Sequence, residues 1–317
     1  MKYIDQFKPD DTIIGIYLCK TKNTAQTKGG KDYENVTLAD KTGQISCKIW
    51  NPDSAGIGDF EPGDYVEIKG LVKLYNNAMQ MSLDRVIKAR SDSYDPADYV
   101  PVSDRNIDDM YSELMALIES VKSPYMRLLL ESFFVEDADF IKSFKEHSAA
   151  KSIHHGFMGG LLQHTLNVAT LCDFYCKRYP ILNRDLLISA AIFHDIGKTQ
   201  ELSLFPRNDY TDEGQLLGHI VIGVEMIDEK LASIKGFPKK RAAELKHCIL
   251  AHHGEYEYGS PKKPALIEAL ALNFADNTDA KIQSMSEILN DAASKQGEPG
   301  GWLGYNKLFE SNIRATD

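Results

Sequence analysis

Histidine, aspartate and lysine stand close together in the stretch from Ala190 to Lys198 (AAIFHDIGK). Leu187, Ala190, Ala191 and His194 recur at helical spacing, which puts the imidazole on the inward side of an apolar helix. Asp195 is adjacent, and Lys198 follows one turn further on. An apolar face tolerates such a trio only when something charged sits opposite. A divalent metal holding a phosphate would account for all three.

Other helices supply partners of the same kind. His164 shares a face with Leu161, Val168 and Leu171, and His219 opens a helix with a stripe through Leu216, Ile220, Val224 and Ile227. His252, with His253 beside it, continues the stripe of Leu245, Cys248 and Ile249, and Asp276 lies with Leu266, Ala269 and Asn273. The intervals from 164 to 194, 219, 252 and 276 are 30, 25, 33 and 24 residues, each room for a helix and a loop. One buried histidine is usually a satisfied core residue; five helices behaving alike is a different matter. Unpaired, such groups would cost several kcal/mol each, and metal coordination removes that cost. Histidine with carboxylate suits borderline transition metals. His147 and His247 read as structural.

Those helices need a body to hold them. From Gly156 onward the periodicity is helical with short breaks, as in an all-α domain. Ahead of it, Ser103 can cap a helix to about Val121, Ser123-Pro124 is a cap with a first-turn proline, and Asp137 starts another. Residues 11–90 read instead as strands, bounded by turn residues. A polar loop from Lys20 to Lys31 and a hairpin turn at Asp40 to Gly43 punctuate them, and Asn76-Asn77 makes another turn. Five short strands in about 80 residues suggest a small closed barrel. Residues 91–103 (SDSYDPADYVPVS) form a linker or docking segment. The expected domains are 1–90, 104–290 and a tail, 291–317. That tail is irregular, and Trp302, Tyr305, Leu308 and Phe309 suggest that it packs back on the body.

Bulk properties narrow the function. At 317 residues there is room for two domains. The net charge of −10 argues against coating nucleic acid by bulk electrostatics. It is unevenly spread: residues 1–95 hold 13 basic and 14 acidic side chains, the remainder 23 and 32. The nearly neutral N-terminal part leaves room for a local binding groove. Five scattered cysteines, an odd number with no Cys-x-x-Cys, read as reduced thiols of a cytoplasmic protein. No apolar run is long enough to span a bilayer, and the N-terminus has no apolar signal core.

The barrel region, through VTLADKTGQISCKIW and GDYVEIKG, resembles the OB-fold modules of nucleic-acid-binding proteins. Such barrels stack bases on aromatics beside a basic rim. The candidates are Tyr17, Tyr33, Trp50 and Tyr75 with Lys20, Lys22, Lys28, Lys31, Lys48 and Lys73; the alternative is that the aromatics are core and the lysines a solvated surface. The order H…HD…H…HH…D resembles the HD-domain metal-dependent phosphohydrolases. More narrowly, IHHGFMGGLLQHT, AAIFHDIGK, LLGHI, ILAHHGEYEYGSPKKP and ALNFADNTDAK behind an OB-fold resemble the YhaM-type 3′→5′ exoribonucleases, over roughly residues 10–285.

That resemblance implies two metals. His164, His194, Asp195 and Asp276 would hold one; Asp195, as a bridge, with His219, His252 and His253 would hold the other. Neighbours on a helix point about 100° apart, so His253 could instead touch substrate. Family likeness suggests manganese, with cobalt as a substitute; a histidine-rich site also accepts iron or zinc. Lys198 either neutralises a phosphate oxygen or satisfies helix carbonyls. His154 and His155 either contact phosphate and help protonate the leaving oxygen or form a surface pair. Asp279, one turn after Asp276, would orient a ligand histidine.

The implied activity is hydrolysis of single-stranded RNA from its 3′ end to nucleoside 5′-monophosphates, with single-stranded DNA a further substrate to test. The rivals are an HD phosphohydrolase of nucleotides or cyclic dinucleotides, a non-catalytic single-strand-binding protein, and a di-iron oxygenase. The apolar tail could also serve a homo-oligomer contact. No membrane partner is expected.

Overall fold

The computed structural model describes residues 1–76, 78–151, 155–296 and 301–316. They fall in two units: Met1–Val102 with Phe205–Arg207, and Ser103–Leu204 with the chain from Asn208 onward.

The first unit is a closed barrel of β1 (Thr12–Gln26), β2 (Asp32–Asp40), β3 (Gly43–Ile49), β4 (Tyr65–Tyr75) and β5 (Ala78–Lys88), in the order β1-β2-β3-β5-β4. A short parallel pairing of β3 with β5, Ser46 opposite Gln80 to Lys48 opposite Ser82, closes it. Closure leaves no open sheet edge. Inward side chains such as Val36, Leu38, Cys47, Val66, Ile68 and Met81 fill the interior. The polar run from Lys20 is strand as far as Gln26, and only 27–31 form the turn. Beyond a register shift between Cys19 and Thr21, β1 pairs with β2 out to Gln26 opposite Asp32. That extension is largely solvated, so it lacks the apolar alternation that marks a half-buried strand. The segment after β5 docks on the same unit. Tyr94 stacks on Tyr65 with ring centres 4.0 Å apart, and Asp98 accepts from Tyr3 Oη at 2.6 Å and Lys41 Nζ at 3.0 Å.

The second unit is built from nine helices among the described residues: α1 (Ile107–Ser120), α2 (Pro124–Phe134), α3 (Ala138–Glu146), α4 (Gly160–Arg178), α5 (Arg184–Phe193), α6 (Lys198–Glu201), α7 (Asp212–Ser233), α8 (Lys239–Leu250) and α9 (Ile267–Gln296). Asn106, not Ser103, caps α1, accepting from the amides of Asp108 and Asp109; two amides within reach of one side-chain oxygen fix the start there. Asp137 caps α3 through the Phe140 amide. Residues 186–193 of α5 are all buried, which makes it the central helix of the core.

Two expectations change. α7 is broken at Gly218 (φ 74°, ψ 154°), a conformation open to glycine, and the kink leaves Leu216 83 % exposed, outside the core stripe. The tail is not irregular: β6 (Gly301–Asn306) and β7 (Ser311–Ala315) pair as an antiparallel hairpin. Trp302, Tyr305 and Leu308 are exposed on it, whereas Ile313 is buried and Phe309 half-buried. Among the described residues no helix is long and apolar enough to cross a membrane.

Candidate metal centre

Five chain segments converge on one cluster of donors. α4 brings His164, the turn after α5 brings His194 and Asp195, the second half of α7 brings His219, the turn after α8 brings His252 and His253, and α9 brings Asp276. His164, His194, Asp195 and His252 are buried, and the other three are half-buried. Gly197 lets the turn after α5 approach α7: a Cβ there would lie 2.0 Å from the His219 carbonyl oxygen.

Each imidazole is gripped by its Nδ1. His194 Nδ1 donates to the Ala191 carbonyl at 2.7 Å, His252 to Ile249 at 2.7 Å and His253 to Tyr258 at 2.9 Å. His164 Nδ1 lies 2.7 Å from Asp279 Oδ2, and His219 Nδ1 lies 3.0 Å from Glu201 Oε1. A carbonyl or carboxylate oxygen only accepts, so each Nδ1 carries the proton and each Nε2 is turned to the centre.

The distances at the centre are those of ligand atoms around a common ion. His164 Nε2 lies 3.1 Å from His194 Nε2, 3.2 Å from Asp276 Oδ1 and 3.4 Å from Asp195 Oδ2. Donors each about 2.1 Å from one cation lie about 3–3.4 Å from one another. On the other side of Asp195, Oδ1 is 3.4 Å from His219 Nε2 and 3.7 Å from His252 Nε2. His219, His252 and His253 bring ligand atoms within 4.8 Å of one another.

Three of these inward atoms, Asp195 Oδ1, His219 Nε2 and His252 Nε2, are buried without a hydrogen-bond partner. Leaving buried polar atoms unpaired is costly. Charge points the same way. Burial works against charge on His164, but Asp195, Asp276 and Asp279 outweigh it and hold the imidazole well above its usual range. Burial would raise Asp195, yet the Lys198 ammonium and His194 beside it hold the carboxyl well below the usual range. Burial, then the neighbouring His253 and His194, push His252 down, so it stays neutral with a lone pair to offer. The residues present fit a divalent cation: imidazoles and ionised carboxylates aimed inward, three of their atoms without a partner, and a negative charge around His164 that a cation would answer in place of a proton.

The supporting residues divide by what they touch. Asp279 Oδ2 accepts from His155 Nε2 at 2.8 Å as well as facing His164, and its Oδ1 accepts from Asn167 Nδ2 at 2.9 Å. His155 is fully buried, so it braces Asp279 and is not placed to touch substrate; His154 lies outside the described residues. Lys198 Nζ lies 2.7 Å from Asp195 Oδ2, so its charge faces the cluster. Glu201, not singled out from the sequence, accepts from both the His219 amide at 2.9 Å and the His219 ring. Its signal was a charged residue on the short helix just after the His-Asp turn. Asn273, whose Nδ2 donates to the His252 carbonyl at 2.7 Å, was read only as a neighbour of Asp276.

The barrel carries a different surface. Tyr33 and Trp50 lie with ring centres 5.1 Å apart, and Lys48 Nζ sits 4.8 Å over the Tyr33 ring. With Lys73 and Tyr75 they line a cleft of about 450 Å³. Lys31 reaches Asn51, while Lys20 and Lys28 are exposed. Tyr17 is elsewhere. It is wholly buried, with its hydroxyl donating to the Lys2 carbonyl at 2.6 Å, and is core because its strand position points inward. Lys22 is also diverted, donating to the Phe60 carbonyl at 3.0 Å and lying 3.5 Å from Glu34.

Comparison with known proteins agrees with this division. The HD domain family matches residues 161–281, and the OB-fold nucleic acid binding domain matches residues 20–89. A protein of Halalkalibacterium halodurans named 3′-5′ exoribonuclease YhaM is 31 % identical over 98 % of this chain and 92 % of its own. Its namesake in Geobacillus sp. strain WCH70 is 32 % identical over 90 % and 87 %, and one in Listeria monocytogenes is 29 % identical over 98 % and 99 %. Matched at this level from barrel to helical unit, the chain belongs to the YhaM family of 3′-5′ exoribonucleases.

Proposed function

We propose that this chain is a metal-dependent 3′→5′ exoribonuclease that hydrolyses single-stranded RNA to nucleoside 5′-monophosphates, using two divalent ions, manganese by family likeness. The observation that carries the reading is the set of buried, unpartnered atoms on Asp195, His219 and His252, which face the same centre from three segments. Polarity rests on the name borne by the relatives.

His164, His194 and Asp276 with one oxygen of Asp195 would hold one ion; the other Asp195 oxygen with His219, His252 and His253 would hold the second. Ions so held would lower the pKa of water and neutralise the non-bridging oxygens of a phosphodiester. The protein's own groups do the rest. Lys198 adds a fixed positive charge beside Asp195 for a phosphate oxygen. Asp279 and Glu201 fix the rings of His164 and His219, so little reorganisation is needed when charge develops. The barrel cleft, with Tyr33, Trp50 and Lys48, would hold single-stranded substrate by stacking and charge.

Digestion of 3′-labelled and 5′-labelled RNA oligomers with varied divalent ions tests the reading. It expects release of labelled mononucleotide from the 3′-labelled strand, progressive shortening of the 5′-labelled one, and strongest activity with Mn²⁺. A preference for cyclic dinucleotides over the oligomer would overturn it.

A further inference from the structure

The cavity that opens onto the metal centre has a second kind of wall. It measures about 630 Å³, within the range of small-ligand sites. His164, Asp195 and Asp276 line it together with Leu308, Phe309 and Glu310, from the turn of the C-terminal hairpin. A space bounded by metal donors and an aromatic ring is suited to a molecule with a phosphate at one end and a flat, weakly polar ring at the other.

Core formation does not explain why Phe309 is there. It belongs to neither buried cluster of the molecule. Among the described residues of the hairpin only Ile313 is buried, while Trp302 and Tyr305 stand 71 % and 65 % exposed. A two-stranded hairpin contributes little stability by itself. Its turn is nonetheless shaped. The Leu308 amide donates to Asn306 Oδ1 at 2.9 Å, and Glu310 takes a left-handed backbone (φ 47°). The half-buried ring of Phe309 lies between them in sequence.

Resting on the phosphodiesterase reading above, we infer that Phe309 is the platform for the base of the 3′-terminal nucleotide, so that the hairpin turn recognises the nucleotide about to be released. Stacking is indifferent to base identity, since each base has a π-face. Phe309 therefore selects for the presence of a base without selecting its sequence.

The test pairs a variant with a substrate. The full chain and Phe309→Ala are compared on a linear oligoribonucleotide with an intact 3′-terminal nucleotide and on one whose terminal nucleotide is abasic. The wild type is expected to show a KM roughly 10-fold higher on the abasic oligomer, in keeping with the value of one base–aromatic stack. Phe309→Ala should raise KM roughly 10-fold on the intact oligomer and add nothing further on the abasic one, because the two changes delete the same contact. Phe309→Trp should restore the discrimination. Independent, multiplying losses on the two substrates, or a variant that still discriminates, would overturn the inference while leaving the exonuclease reading intact. A wild type inert on the intact oligomer would overturn both.

Discussion

The helical unit and the barrel present their functional side chains in opposite ways. Around Asp195 each imidazole is tied from behind by Nδ1, and three of the inward atoms, Asp195 Oδ1, His219 Nε2 and His252 Nε2, lack partners. On the barrel, Trp50 is 45 % and Tyr75 64 % exposed; of the lysines beside them Lys73 is exposed and Lys48 half-buried. The difference fits the two tasks proposed for them. Coordinating a cation and stabilising developing charge demand positions fixed to a fraction of an ångström. Holding a strand of any sequence demands flat faces and positive charge, for which loose positioning suffices.

That contrast can be broken by separating cutting from holding. Asp195→Ala removes the carboxylate on which both halves of the cluster converge. It should lower the rate of RNA hydrolysis by at least on the order of 10³-fold while strand binding by the barrel persists. A variant that digested RNA at the wild-type rate would refute the site assignment. Metal removal should act alike: chelation abolishes cleavage and Mn²⁺ restores it. Because the ligand atoms come from five segments, saturating metal should also raise the melting temperature, by about 2.7 kcal/mol of stabilisation at 100 times Kd. No shift on metal addition would mean that the cluster is not a cation site.

Finer probes sharpen the comparison. Asp279→Asn keeps the shape but weakens the acceptor that His164, His155 and Asn167 share. It should cost roughly 10–100-fold in metal affinity or activity, and metal titration checks it. Trp50→Ala should weaken single-strand binding by about 1–3 kcal/mol, with the kinetic loss falling on KM. Equal losses in kcat would argue that the barrel surface takes part in chemistry. The smallest effect belongs to Lys48→Ala, which should reduce the slope of log affinity against log salt by about 0.7 if that lysine meets one phosphate; filter binding across a salt series measures it.

The sequence made the architecture legible where periodicity was strong. Helices bearing Leu161, Val168, Leu187 and Ala190 announced a buried face, and the donors on that face announced the cluster. It misled where local pattern and environment part company. The second half of β1 looks like a loop because its side chains are largely solvated. Tyr17 resembled a stacking aromatic because residue type does not report which way a strand position points. Leu216 fell into a stripe that the turn at Gly218 then redirected. His155 read as a phosphate contact or as half of a surface pair, yet the fold buries it against Asp279.

By itself the chain determined which residue types are available and that they recur one per helix, since helical spacing and burial are short-range properties written in neighbouring residues. Only the tertiary structure decided that Glu201 and Asp279 stand behind His219 and His164 and turn their Nε2 atoms inward, and that Phe309 reaches the same cavity. Those are contacts across 18 to more than a hundred residues. They depend on the angle at which one packed element meets another, which no stretch of sequence encodes alone.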